Sequence, residues 1–500
     1  MKVRALHCID FYKADHRRQY PEGTEEVYSN FTARSAKYAP VLSDFDNKVV
    51  IFGIQGFVKS FLIDLWNETF FRRPRSEVVA EYKRRMDTSL GEGAIPVDHI
   101  KALHDLGYLP ISVKALPEGS RVNIRVPFLT ITNTLPGFFW VTNMLETAIS
   151  AELWKSCTAA TIAFEYKRLL TRFADMTCGD RSFVPVQAHD FSFRGMGGIY
   201  DAASHQAAHL TSFIGTDTVP AIDYLEDYYN ADSTKEIIGV SVPATEHSVM
   251  CMGERGSEIE TFRRLITQLY PTGIVSIVSD TWDFWKVITE YAVELKDEIL
   301  NRGVNALGLS RVVFRPDSGD PVKIICGDLS APEGSPQFKG AVECLWDVFG
   351  GSVNSKGFLE LNPRVGLIYG DSITLDRAEK ILARLLEKGF ASNNVVFGVG
   401  SYTYQHVTRD SFGFAIKATF GVVNGQDREI FKDPATDDGQ KKSAHGLLRV
   451  EKEGNDYLLL DRQDDRGENS GELRVVFFNG LPMGYTTLHE IRQRLDEQLV

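Results

Sequence analysis

Cysteine is scarce: six residues in a chain of 500 (Cys8, Cys157, Cys178, Cys251, Cys326 and Cys344), each alone and none in a Cys-x-x-Cys pair. That spacing argues against a zinc ribbon or a disulfide framework and points to reduced thiols in a cytoplasmic protein. Long apolar runs are missing as well; nothing approaches the ~18–20 residues that a membrane-spanning helix needs. The N-terminal MKVRALHCIDFYKADHRRQYPEG reaches charged residues before an apolar block of export-signal length can form, so no export is expected. Positive charge is in deficit, with 55 Lys and Arg against 67 Asp and Glu and a net charge of −12. This balance argues against a general nucleic-acid or membrane-surface binder, because phosphate backbones and anionic lipids recruit net positive charge; an anionic substrate would need a locally basic pocket. There is no internal repeat, no GxxxxGK[ST] phosphate loop and no full GxGxxG fingerprint. HQAAH (205–209) has the spacing of a metal pair without the internal Glu of a zincin, so its histidines read as structural.

What is present is enough apolar material for a large core: 43% hydrophobic and 11% aromatic residues. At roughly 100–200 residues per domain, two domains are favoured. Between about His209 and Gly400, short apolar runs end in polar or glycine-rich turns and are followed by helix-like segments. HLTSF leads to GTDTV, GVSV to PATEHS, Ile274–Val278 to Ser279-Asp280, Val312–Phe314 to RPDSGDP, Val365–Tyr369 to GDS and Val395–Phe397 to GVGS. Helices are predicted from Pro220 to Tyr229, over Trp282–Ile299 and over Leu375–Lys388, the last with Ala378, Ile381, Leu382, Leu385 and Leu386 on one face. Strand, loop and helix in this alternation imply parallel strands joined by crossover helices, hence an α/β fold with a (β/α) barrel-like domain. Strands such as Arg121–Ile131, Leu447–Val450, Tyr457–Leu460 and Leu473–Phe478 look antiparallel. The predicted organisation is a barrel over residues 156–401 inserted into a mostly antiparallel β-sheet α+β domain built from 1–155 and 402–500. Cys326–Leu361 reads as a surface insertion.

In such barrels the loops after the strands form the catalytic rim, and here they carry Asp217, His247, Asp280, Arg315, Asp317 and Asp371. In RPDSGDP, Arg315 is held extended before Pro316, and Ser318-Gly319 turns Asp317 back toward the same rim; a surface turn closed by an Arg–Asp pair is the equal alternative. GVGSYTYQ and YGDS place small residues where backbone N–H groups can approach an anion, although glycine after a strand is most often only a turn. His247 has Glu246 beside it, a neighbour that can raise imidazole basicity, against a plain hydrogen-bonding or capping role. The late basic residues, including Arg409, Lys417 and Lys432, matter only if folding brings them to the rim.

Taken as a set, HDFSFRG (189–195), GTDTV (215–219), SVPATEHS (241–248), SDTWD (279–283), RPDSGDP (315–321), YGDS (369–372), FGVGS (397–401), TRD (408–410) and FKDP (431–434) resemble the nicotinamide phosphoribosyltransferases in order and approximate spacing. The opening DFYKADHRRQYPEGTEEVYSNFTAR is similar to that family's first segment, so the resemblance runs from about Asp10 to the C-terminus. It implies a homodimeric type II phosphoribosyltransferase with two active sites at the subunit interface. The substrates would be nicotinamide and 5-phosphoribosyl 1-diphosphate, with Mg²⁺ as cofactor and ATP as co-substrate. By motif, Phe191 would stack on the pyridine ring and Tyr12 of the partner subunit would cover its other face. Asp217 would accept from the carboxamide, Arg315 would line the same pocket, and Asp317 would face the ribose hydroxyls. His247 resembles the histidine that ATP phosphorylates, with Asp280 orienting it. Arg34, Arg194, Gly370, Asp371, Gly400, Ser401, Arg409, Lys417 and Lys432 would hold phosphates or ribose, some from the partner. The sequence departs from the family's GSGGG loop at Gly398-Val399-Gly400-Ser401-Tyr402. The alternatives are nicotinate or quinolinate transfer on the same fold, and a metal-dependent (β/α) barrel lyase with Asp217, His247 and Asp280 as ligands.

Overall fold

The computed structural model describes residues 3–431 and 444–499. Six parallel strands run Ala188–Asp190, Gly215–Thr216, Gly273–Val278, Ser310–Arg315, Val365–Tyr369 and Val396–Val399. Each pairs with its neighbour in chain order, and the last returns to pair with the first through Phe397↔Ala188 and Val399↔Asp190. The one gap, between Gly215–Thr216 and Gly273–Val278, is bridged by the irregular run 240–245. Parallel bridges Gly215↔Val240 and Ala244↔Ser276 span it, with Thr216 N–H donating to Val240 O (3.0 Å) and Thr245 N–H to Ser276 O (3.0 Å). The ring is thus a closed (β/α) barrel in which one strand is reduced to bridges. Val275, Ile277, Val312, Phe314, Leu367, Phe397 and Val399 are all buried, so apolar runs rather than alternating patterns mark strands covered on both faces.

Helix Val219–Tyr229 begins with Pro220 in its first turn, where the missing N–H costs nothing, and ends at Asn230 in the left-handed region (φ 54°). Helix Leu375–Glu387 is capped by the Thr374 hydroxyl and buries Leu375, Ala378, Ile381, Leu382 and Leu385, the predicted face, with Leu386 at its edge. Three local expectations are corrected. HLTSF is no strand: His209 closes helix Ile199–His209, and the strand is only Gly215–Thr216, because the buried residues Ala202, Ala207 and Ala208 continue a helical face into it. Trp282–Ile299 is helical only from Phe284 and is irregular: a π-helical turn, Val287–Tyr291, lies between Phe284–Lys286 and Ala292–Glu294, and a turn at Leu295 precedes Lys296–Leu300. Cys326–Leu361 is only partly surface: helix Ala341–Phe349 buries Val342, Leu345 and Phe349 as part of the crossover to strand Val365–Tyr369, while the loop around Leu329 and the hairpin Gly351–Val353 with Leu359–Leu361 stand outside.

The seven-stranded sheet takes strands from both ends of the chain in the order Gln426–Glu429, Ala415–Val423, Thr24–Thr32, Pro127–Asn133, Ile111–Ala115, Arg474–Phe478 and Leu481–Pro482, all antiparallel. The predicted strand Arg121–Ile131 is interrupted at Arg125, whose φ of 76° ends one strand at Asn123 before Pro127 begins the next. Helix Trp140–Thr177, 38 residues long, joins sheet to barrel and runs across position 155. Val141, Leu145, Ile149 and Leu153 belong to the core of the sheet, while Ile162, Phe164, Leu170 and Phe173 belong to that of the barrel.

His209 is fully buried under the rim; its Nε2 donates to Gly215 O (3.0 Å) and its Nδ1 accepts from the Tyr404 hydroxyl (2.7 Å). Burial pushes this imidazole down to about 4 from 6.5. Between those values the unfolded chain binds more protons than the folded one, so the stability tied to neutral His209 is complete above the unfolded value and is lost as pH falls toward the folded one. The urea midpoint is expected to drop across that window more steeply than in His209→Gln; identical profiles would contradict it.

Candidate active site

The C-terminal ends of the parallel strands open onto one rim, and its loops are tied together from below. Asp190, fully buried at the end of strand Ala188–Asp190, accepts from Ser192 N–H (3.0 Å), Ser192 Oγ (2.6 Å), Thr216 Oγ1 (2.9 Å) and Thr218 Oγ1 (2.5 Å). One carboxylate therefore locks HDFSFRG to GTDTV. Phe191, its N–H bonded to Val399 O (2.9 Å), lies half-buried with its ring 4.6 Å from that of His189. Asp217 is tied to the same loop, its N–H donating to Asp190 O (2.9 Å) and its Oδ1 accepting from His189 Nε2 (2.9 Å) and Ser241 Oγ (2.5 Å). Burial alone would raise the Asp217 carboxyl, but the bonds from His189 and Ser241, with the charge of Arg315, hold it below its ordinary value.

A second anchored carboxylate organises the other side. Asp280 Oδ2 accepts from Asp317 N–H (2.9 Å), Ser318 N–H (2.9 Å) and Ser318 Oγ (2.6 Å), so RPDSG wraps around it, with Gly319 at φ 92° making the turn. Arg315 donates from Nη2 to Thr245 O, and its backbone N–H meets Ser279 Oγ at 3.3 Å. His247, first residue of helix His247–Met252, sits half-exposed with Nδ1 3.1 Å from Thr281 Oγ1 and Nε2 3.3 Å from Asp317 Oδ1. Asp280 Oδ1 lies 3.9 Å from the same Nε2, so the nearer carboxylate to the imidazole is that of Asp317. Burial and the charge of Asp280 push the Asp317 carboxyl up, against the pull of His247 and Arg315. Burial also lowers the Arg315 guanidinium, against Asp317, Asp217 and Asp280, with the Arg194 charge adding to the fall.

Two glycine loops complete the rim. Gly370 N–H bonds Pro316 O (2.9 Å), and a Cβ there would come within 3.1 Å of the Asp317 Cβ. A Cβ at Gly400 would lie 2.8 Å from Asp371 Oδ1, and one at Gly195 would lie 2.1 Å from Ser401 Oγ. The loops carrying Arg194, Asp317, Asp371 and Ser401 thus pack too closely for side chains at those positions.

The structure does not bring every expected residue to this rim. Tyr12, 63% exposed, packs on His16 (5.2 Å) in the N-terminal segment. Arg34 follows strand Thr24–Thr32 and donates to Gly413 O (3.0 Å); Arg409 lies near enough to lower it, after the effect of burial. Lys417 is on strand Ala415–Val423, opposite Asn30. These four belong to the antiparallel sheet and the segments that lead into it. Lys432 lies outside the described residues. The residues that sequence reasoning passed over are Asp190, His189, Ser241 and Thr281, each inside a motif already singled out; nearness to Phe191 and Asp280 was the available signal for all but Ser241, which lies 24 residues from Asp217.

Two solved structures share this architecture of a barrel beside an antiparallel sheet. The nicotinate-nucleotide pyrophosphorylase of Pyrococcus furiosus superposes with a TM-score of 0.55 at 15% identity, covering 99% of this chain and 95% of that one. The human nicotinic acid phosphoribosyltransferase gives 0.53 at 15% identity, covering 98% and 93%. The model of the nicotinate phosphoribosyltransferase (NAPRTase) family matches residues 186–480, and that of the nicotinamide phosphoribosyltransferase N-terminal domain matches residues 5–70. The chain belongs to the NAPRTase family. It is 65% identical over 498 residues to the nicotinamide phosphoribosyltransferase of Acinetobacter baylyi (100% of this chain, 98% of the relative). It is 32% identical over 496 residues to that of Xanthomonas campestris pv. campestris (97% of each).

Asp190→Ala would strand the buried donors of Ser192, Thr216 and Thr218, at about 1–3 kcal/mol each where no water replaces the acceptor. A loss of several kcal/mol in urea unfolding is expected, and an unchanged midpoint would contradict the anchoring role.

Proposed function

We propose that the chain transfers the 5-phosphoribosyl group from 5-phosphoribosyl 1-diphosphate to nicotinamide, releasing nicotinamide mononucleotide and diphosphate for NAD salvage. The observation that carries this reading is the Asp217 carboxylate, held ionised and partly open and linked through His189 to the Phe191 ring, in a chain whose full-length 65% identical relative bears that name. Pyridine nitrogen is already nucleophilic, so the reaction asks for orientation more than for a general base. Phe191 supplies one aromatic face, and Tyr12 of the partner subunit supplies the other in a homodimer. The exposure of Tyr12 away from its own rim suits that exchange. Asp217 accepts from the carboxamide N–H₂ and repels the carboxylate of nicotinate, which separates this reading from nicotinate transfer. Arg315 lines the same pocket.

As the bond from ribose C1 to diphosphate breaks, the sugar gains oxocarbenium character and the leaving group negative charge. Asp317 faces the ribose hydroxyls. Arg194, Gly370, Asp371, Gly400 and Ser401 bind phosphate and ribose, joined by Arg34, Arg409, Lys417 and Lys432 contributed across the dimer. Among the described residues the buried Asp280 Oδ1 has no hydrogen-bond partner, and with Asp317 it offers hard oxygen donors suited to Mg²⁺. When bound, the ion would offset charge on the diphosphate. His247 attacks the γ-phosphorus of ATP through a ring nitrogen, ADP departs, and the phosphoryl group later passes to water; Asp317 and Asp280 orient the imidazole. The lyase alternative draws on His247, Asp280 and Asp317 clustering as possible ligands, but Asp217 is occupied with His189 and Ser241 instead. A cytoplasmic setting suits six free cysteines.

The deciding assay incubates the protein with nicotinamide, phosphoribosyl diphosphate and Mg²⁺, with and without ATP. Mononucleotide formation that chelation abolishes and Mg²⁺ restores is expected; none under any condition would overturn the reading. Asp217→Asn is expected to cut kcat/KM for nicotinamide about tenfold or more and to relax rejection of nicotinate, while unchanged kinetics for both pyridines would refute its role. His247→Ala is expected to lose stimulation by ATP and label uptake from γ-labelled ATP, and a phosphorylated variant would sink that assignment.

A further inference from the structure

His189 Nε2 and Ser241 Oγ both bind the same oxygen of Asp217, Oδ1, at 2.9 and 2.5 Å. Among the described residues, none donates to Oδ2, and the side chain keeps 43% of its exposure. A carboxylate gripped at one oxygen by two donors cannot rotate freely, and its other oxygen keeps its acceptor capacity for a further donor. The imidazole making this grip is itself seated: its side chain is 12% exposed, its ring lies 4.6 Å from that of Phe191 at 39°, and strand register pairs it with Gly215. A Cβ at Gly215 would come within 2.9 Å of its Nδ1, so glycine is needed for the ring to lie where it does. With a carboxylate at Nε2, that nitrogen carries the proton, and one ring links both groups that contact the pyridine.

We propose that His189 is a specificity-positioning residue: with Ser241 it holds Asp217 so that Oδ2 is presented to a carboxamide N–H donor, and it sets that oxygen in register with the face of Phe191. The proposal rests on the nicotinamide reading given above and deepens it. It makes discrimination between amide and acid a property of the His189–Asp217–Ser241 unit, not of the carboxylate alone. Removing the donor frees Asp217 to turn and lets Oδ1 take an N–H or a water, so amide recognition weakens while the approach of an acid is less strongly opposed.

The test compares His189→Phe, which keeps a ring against Phe191 without the donor, with His189→Gln, which keeps an N–H donor near the Nε2 position. kcat and KM are measured for nicotinamide and nicotinate in both variants and in the natural protein, with thermal unfolding alongside. In His189→Phe the nicotinamide-to-nicotinate ratio of kcat/KM is expected to fall about tenfold, mainly through KM for nicotinamide, with KM for phosphoribosyl diphosphate shifted less than twofold. His189→Gln is expected to recover most of that ratio. An unchanged ratio in a folded His189→Phe, or equal losses in the Phe and Gln variants, overturns the positioning role while nicotinamide turnover by the natural protein leaves the broader reading intact. A natural protein that converts nicotinate and neither converts nor binds nicotinamide overturns both.

Discussion

Two carboxylates that never leave the interior set the geometry on which the site depends. Asp190 gathers donors from HDFSFRG and GTDTV, and Asp280 gathers the backbone of RPDSG. A buried charge is tolerable only when hydrogen-bonded, so each must recruit donors, and the donors nearest to hand are the loops at the strand ends. The demand to satisfy an anion inside the barrel is therefore also what stiffens its rim. Phe191, Asp217, Arg315 and Asp317 owe their relative positions to Asp190, which is wholly buried, and to Asp280, which turns one oxygen to the RPDSG backbone and the other toward His247.

Ring closure supplies the second constraint. The run 240–245 makes only bridges where a full strand would stand, yet those bridges bring Ser241 against Asp217 and Thr245 against Arg315. An irregular strand leaves its groups less bound by the ladder, and here one side chain, Ser241 Oγ, and one backbone carbonyl, Thr245 O, orient polar groups of the rim. The glycines act in the same sense from the other side: at Gly195, Gly370 and Gly400 a methyl group would collide with a neighbouring rim residue, so loop contacts replace side chains there. An acidic protein can in this way hold arginines and carboxylates on one rim.

Much of this was legible before folding was considered. Apolar runs ending in Gly, Asp and Arg marked the barrel strands and their order, because buried parallel strands show continuous hydrophobicity and their ends must turn polar. The helix face of Ala378, Ile381, Leu382 and Leu385 followed from its period. HLTSF misled because a short apolar run is the same string whether it closes a helix or opens a strand, and only the packing of His209 beneath Gly215 separates the two. Cys326–Leu361 misled because its glycines and prolines masked a nine-residue helix whose burial depends on the strands on either side.

The sequence alone determined which residue types are available to the rim, the order in which they arrive and the alternation that makes a barrel, since these are properties of local spacing and composition. It could not determine that two donors would meet on one oxygen of Asp217, that Asp317 would lie nearer His247 than Asp280 does, or that Tyr12, Arg34, Arg409 and Lys417 would be placed with the antiparallel sheet. Those are contacts between positions 24 to 70 residues apart, or placements on another sheet, and only closure of the ring and the packing of helix Trp140–Thr177 against both cores decides them.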